Sequence, residues 1–81
     1  MRIQVKLFAI LRDKAKVGSV DLEIAERSTV AEAFVRLAEM HPAIAVYLPR
    51  VSAAVNREYV RSDHVLRDGD ELALIPPVSG G

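Results

Sequence analysis

The sequence predicts an α+β fold, a small mixed sheet with one main helix packed on one face. Three observations carry this expectation. Two stretches near the N-terminus alternate apolar and polar residues at the strand period, a capping box then opens one strongly amphipathic helix, and three short strand-like runs follow it. A chain of 81 residues has room for one core of sheet and helix but not for two. With 51% hydrophobic residues it has enough apolar surface to fold.

Residues 2–8 place Ile3, Val5 and Leu7 on one face and Arg2, Gln4, Lys6 and Phe8 on the other, a half-buried first strand. Phe8 is the odd member, an aromatic on the otherwise polar face. Residues 9–17 predict a short helical turn closed by Gly18. Val20, Leu22 and Ile24 alternate with Ser19, Asp21 and Glu23, giving a second strand antiparallel to the first. Residues 25–28 form a loop.

Thr29-x-x-Glu32 is a capping box, and Val30, Ala33, Phe34, Leu37 and Ala38 make one apolar stripe behind it. Glu32 and Arg36 stand at the i,i+4 spacing of a favourable ion pair on the other side. Pro42 prevents continuation, so the helix covers 29–40, with Phe34 and Leu37 in the core. Residues 41–50 read as irregular.

A strand over 51–55 follows, then Asn56-Arg57 as a tight turn into a short strand at 58–60. Arg57 fits a turn that needs positive φ less well than glycine does. Residues 61–67 connect to the turn Asp68-Gly69-Asp70, which leads into the last strand, 71–75. This order, with one helix covering one face of the sheet, is that of a ubiquitin-like β-grasp domain over residues 1–75. In it the first and last strands lie parallel and adjacent at the centre. Leu72 and Leu74 then face the helix with Ile3, Val5 and Leu7, while Ala73, Ile75 and Phe8 share the helix-free face. Phe8 and Ile75 form an apolar docking patch there, which Tyr59 or Val60 extends.

Beyond residue 75 runs a distinct tail, Pro76-Pro77-Val78-Ser79-Gly80-Gly81. The prolines fix their own φ, and Pro77 holds residue 76 extended, so the base of the tail is stiff. Six residues at ~3.3 Å each reach roughly 20 Å, enough to enter another protein's active site. Gly80 and Gly81 lack a Cβ, so they fit a narrow channel and leave the terminal carbonyl open to a nucleophile. The expectation is that the Gly81 α-carboxylate is chemically activated and used, against the plainer reading of a frayed end.

Composition removes several other function classes. Eleven basic and eleven acidic residues give zero formal charge, which argues against a binder of nucleic acid or anionic membrane. No window approaches a transmembrane span or a signal peptide, so cytoplasm is the default location. The absence of cysteine removes disulfides, thiolate catalysis, iron–sulfur clusters and persulfide carriage. His41 and His64 lack a second ligand at metal-binding spacing and read as surface or loop residues, with no metal expected.

Four pieces of the chain together resemble one family. They are Phe8-Ala9-x-x-Arg12, Ala54-Val55-Asn56, Asp68-Gly69-Asp70-Glu71 and the ending Pro76-Pro77-Val78-Ser79-Gly80-Gly81. The family is that of the small subunits of molybdopterin synthase, the sulfur carriers of molybdenum cofactor biosynthesis. The resemblance covers the whole chain, and its ending is the specific part. It implies that Gly81 is adenylated by an E1-like activating enzyme, converted to a thiocarboxylate, and inserted into the large synthase subunit. There the sulfur passes to a pterin precursor, in a heterotetramer of two small and two large subunits. The chain would be non-catalytic alone, the sulfur-donating subunit of a sulfurtransferase. No cofactor is expected on it; ATP and magnesium belong to the activating enzyme. Gly81 carries over as the acyl and sulfur carrier. Gly80, Ser79, Val78, Pro77, Pro76, Ile75, Phe8 and Tyr59 are the expected partner-binding positions. The family often has aromatic residues just before the prolines, where this chain has Leu74-Ile75. Three other readings share the same tail: a sulfur carrier of the thiamine thiazole type, a ubiquitin-like modifier conjugated through Gly81, and a β-grasp binding module with an inert tail.

Overall fold

The computed structural model describes residues 1–77. Five strands, β1 (Arg2–Leu7), β2 (Ser19–Glu23), β3 (Ser52–Val55), β4 (Glu58–Val60) and β5 (Glu71–Ile75), form one sheet in the order β2-β1-β5-β3-β4. β1 and β5 are parallel, with Val5 opposite Leu72 and Leu7 opposite Leu74; the other pairs are antiparallel. The expected β-grasp order and the central parallel pair are both present.

The helical layer is richer than the sequence predicts. α1 (Ala9–Ala15) follows β1, and α2 (Val30–Met40) is the main helix. A four-residue helix, α3 (Pro42–Ala45), and a 3₁₀ turn (Leu48–Arg50) occupy the region expected to be irregular. Pro42 stops α2 and at the same time starts α3, where its missing N–H costs nothing. Ile44 and Leu48 from these short pieces are buried in the core.

The capping box at Thr29 is formed as predicted. The Glu32 amide donates to Thr29 Oγ1 at 3.2 Å, and the Thr29 amide donates to Glu32 Oε1 at 3.0 Å. This explains why the expected Glu32–Arg36 pair is absent. The Glu32 carboxylate is held at the helix start, and Arg36 turns to Glu39 at 3.9 Å instead. The segment 61–67 does more than connect. Its Ser62 and His64 carbonyls accept from the Ala31 and Val30 amides, two donors that a helix leaves free at its start. Leu66 in the same segment is buried in the core.

Two boundaries differ with a physical cause. β1 ends at Leu7, and Phe8 is the residue preceding α1, still extended at φ −126°, ψ 156°. The left-handed residue that closes α1 is Lys16, at φ 65°, not Gly18. Gly18 instead uses its carbonyl to accept from the Leu7 amide at 2.9 Å, which starts the β1–β2 pairing.

On one face of the sheet Ile3, Val5, Leu7, Leu22, Leu72 and Leu74 pack with Val30, Ala33 and Leu37 of α2. Phe34 and Ala38, expected in the stripe, are half-buried against this core. Asn56 and Arg57 both take positive φ, 50° and 73°, forming the tight turn between β3 and β4. Asn56 also ties that turn to the start of β5: its Oδ1 accepts from the Glu71 amide and its Nδ2 donates to Asp70 Oδ1. Asp68 and Gly69 hold the other side, on the Arg2 amide and carbonyl. The end of the sheet away from the C-terminus is therefore laced together.

Candidate functional site at the root of the tail

The helix-free face is built from the alternate residues of the same strands. Lys6, Ala73, Ala54 and Tyr59 stand in one row across β1, β5, β3 and β4. One step towards the tail, Ile75 lies opposite Ser52, and Phe8 follows the Leu7–Leu74 pair on the neighbouring strand. With strands ~4.8 Å apart, the row from Lys6 to Tyr59 is about 14 Å wide.

The heights of these side chains shape the surface. Two alanines form its floor between the longer Lys6 and Tyr59. Ala54, between Tyr59 and Ala73, is only 5% exposed yet lies outside the helix-side core. Phe8 and Tyr59 are 47% and 73% exposed, an uncommon display for two aromatics in a small domain. Ile75 and Pro76 are half-buried and Pro77 is exposed. Phe8, Ile75, Pro76 and Pro77 are thus brought together, with Tyr59 at the far side of the alanine floor. Val78, Ser79, Gly80 and Gly81 lie outside the described residues.

Phe8 owes its display to the backbone that follows it. Ala9 takes φ 50°, a left-handed conformation unusual for a residue with a Cβ. The chain turns sharply there into α1, with the Leu11 amide donating to the Phe8 carbonyl at 3.0 Å. Leu11 swings into the core while Phe8 stays outside. The sequence contains no sign of this turn. Ala54 and Ala73 were also missed as site residues; the strand alternation assigns their face, but only the pairing places them side by side.

Among the described residues no group of three or more histidine, aspartate or glutamate side chains converges as a metal site. What the face offers is shape and apolar surface beside the exit of the chain, which suits holding a partner.

These features define a ubiquitin-like β-grasp protein with an open apolar face at the root of its C-terminal segment. The model of the ThiS family matches residues 5–81, and the chain belongs to that family. Among its relatives, the molybdopterin synthase sulfur carrier subunit of Chlamydomonas reinhardtii is 36% identical, with all of both chains covered. That of Escherichia coli is 38% identical, over 98% of this chain and 99% of its own. Among solved structures, SAMP1 from Haloferax volcanii superposes with a TM-score of 0.92 at 31% identity, both chains being fully covered. A complex of subunits 1 and 2 of the molybdopterin-converting factor from Helicobacter pylori matches with a TM-score of 0.69 at 21% identity, again over both full chains, and shows the shared fold.

Proposed function

We propose that this chain is the sulfur carrier and donor subunit of a molybdopterin synthase, with the Gly81 carboxylate as its working group. The observation that carries the reading is the full-length likeness to sulfur carrier subunits of that enzyme. The apolar face beside the exit of a Pro-Pro-Val-Ser-Gly-Gly tail supports it.

The chemistry follows from the weakness of a carboxylate as an acyl donor. An oxygen of Gly81 attacks the α-phosphorus of ATP on an E1-like activating enzyme, releasing pyrophosphate and leaving an acyl-adenylate. Hydrosulfide then displaces AMP at the acyl carbon, and the product is a thiocarboxylate. ATP and magnesium stay with the activating enzyme. The tail enters the large synthase subunit, where Gly80 and Gly81 pass a narrow channel and the sulfur moves to the pterin precursor. Phe8, Ile75 and Tyr59 dock the body so that Pro76 and Pro77 aim the tail; Val78 and Ser79 span the entrance. A complex of the two subunits is known for the Helicobacter pylori protein, and two carriers on a dimer of large subunits is the assembly proposed here. Cytoplasm is the proposed location. No helix among the described residues is long and apolar enough to cross a membrane.

The test is the intact mass of the chain after incubation with activating enzyme, ATP-magnesium and a sulfur donor. A species with one oxygen exchanged for sulfur, which then converts the pterin precursor when the large subunit is added, is the expected result. An unchanged mass would overturn the reading. A second reading, conjugation to lysines of other proteins, is favoured by the close superposition on SAMP1, since Haloferax volcanii has a relative named small archaeal modifier protein 1. Higher-mass bands that disappear when Gly81 is removed would establish it.

A further inference from the structure

The zero net charge conceals a polarity along the strands. At the end of the sheet where β5 finishes, residues 6–18, 48–52 and 73–77 carry five basic side chains, Lys6, Arg12, Lys14, Lys16 and Arg50, and one acidic, Asp13; the end of β4, residues 60–63, adds Arg61 and Asp63, which pair with each other. Taken from eleven of each sign, this leaves five basic and nine acidic side chains for the rest of the chain.

The fold gathers four of them, Lys6, Arg12, Lys16 and Arg50, around the root of the tail. Lys6 stands opposite Ala73 on β5. Gly18 bonds to Leu7 at the end of β1, which carries Lys16 there. A Cβ on Gly18 would lie 3.6 Å from Arg12 Cδ, so Arg12 flanks the same strand end. Arg50 precedes by two residues Ser52, the partner of Ile75. Arg12, Lys14, Lys16 and Arg50 are exposed and Lys6 is half-buried.

None of the five serves an ion pair among the described residues. The pairs there use the N-terminus, Arg2, Arg36 and Arg61, all outside the three segments. The C-terminal dipole of α1 accounts for some of the preference for cations at Arg12 and Lys14. It gives no reason for Lys6 or Arg50. Like charges gathered around an apolar face cost self-repulsion in the free chain, and a partner that supplies carboxylates relieves it.

We infer that these cations form a collar around the apolar face and meet a carboxylate-lined rim on the large synthase subunit, around the mouth that takes the tail. The inference rests on the carrier reading above and adds the chemistry of the partner's rim.

The test is association of the full-length chain with the large subunit of molybdopterin synthase from the same organism, followed by stopped flow at low and high ionic strength. The paired reversal Lys16→Glu with Arg50→Glu leaves the apolar floor intact. It should slow association about tenfold or more at low salt, flatten the salt dependence, and change dissociation much less. The equal change at the far end, Arg57→Glu with Arg67→Glu, should have a clearly smaller effect. Lys16→Gln with Arg50→Gln should fall between wild type and the reversal, which keeps the test valid if the reversed chain misfolds. Wild-type rates in both paired variants, or faster association as salt rises, would remove the collar and leave the carrier reading standing if Phe8→Ala still weakens the complex. A wild-type chain that does not bind the large subunit would remove both.

Discussion

The two faces of one sheet are made from the same five strands, yet they are put to opposite uses. On the helix side, Val5, Leu22, Leu72 and Leu74 are at most 1% exposed, closed over by α2 and the short pieces after it. On the other side, Phe8 and Tyr59 stand in solvent and the alanines between them have no helix above. The first face follows from the hydrophobic effect and needs only the right period. The second leaves apolar surface uncovered, which costs stability and therefore calls for a use outside the fold.

The sharpest way to break this contrast is to remove Gly81. Sulfur transfer should disappear completely while the melting temperature stays at its wild-type value, because the last residues of a chain seldom contribute to its core. A lowered melting temperature would show that the tail packs on the body. Next in size is Leu74→Ala, on the closed face. Chemical denaturation should report a loss of about 2–5 kcal/mol from the missing contacts and the cavity. A loss below about 1 kcal/mol would mean the helix side collapses around the gap and is less tightly packed than its burial implies.

Phe8→Ala reverses the pattern. Titration calorimetry with the large subunit should show a loss of about 1–3 kcal/mol in binding, with under about 1 kcal/mol lost in unfolding. Equal losses in both would assign Phe8 to the fold. The smallest effect belongs to Arg57→Gly. Arg57 sits at φ 73° in the β3–β4 turn, and glycine there should add about 0.5–1 kcal/mol to thermal stability. It should leave binding unchanged, because the turn lies at the end of the sheet away from Phe8. Altered binding would extend the docking surface to that end.

The parts legible in the sequence are those governed by near neighbours. Alternation at Ile3, Val5 and Leu7 identified β1, and the reciprocal Thr29 and Glu32 spacing identified the start of α2 to the residue. The Glu32–Arg36 pair failed because the same carboxylate had a nearer use at the cap. Residues 41–50 were illegible for a different reason. Helices of one turn have no room for a periodic stripe, so burial of Ile44 and Leu48 leaves no pattern to read. Gly18 misled because glycine is the commonest left-handed closing residue, whereas the chain turns two residues earlier at Lys16.

By itself the sequence determined the strands, the capped helix, the absence of cysteine chemistry and the Gly-Gly ending, since each is a property of residues a few positions apart. Tertiary structure alone decided that Ala73 and Ala54 stand side by side as the floor between Lys6 and Tyr59, and that Lys6, Arg12, Lys16 and Arg50 surround the exit of that face. Those residues come from strands and loops up to 67 positions apart in the chain, between Lys6 and Ala73. Strand pairing is a long-range choice, fixed by which apolar faces can be buried together, and no local pattern encodes it.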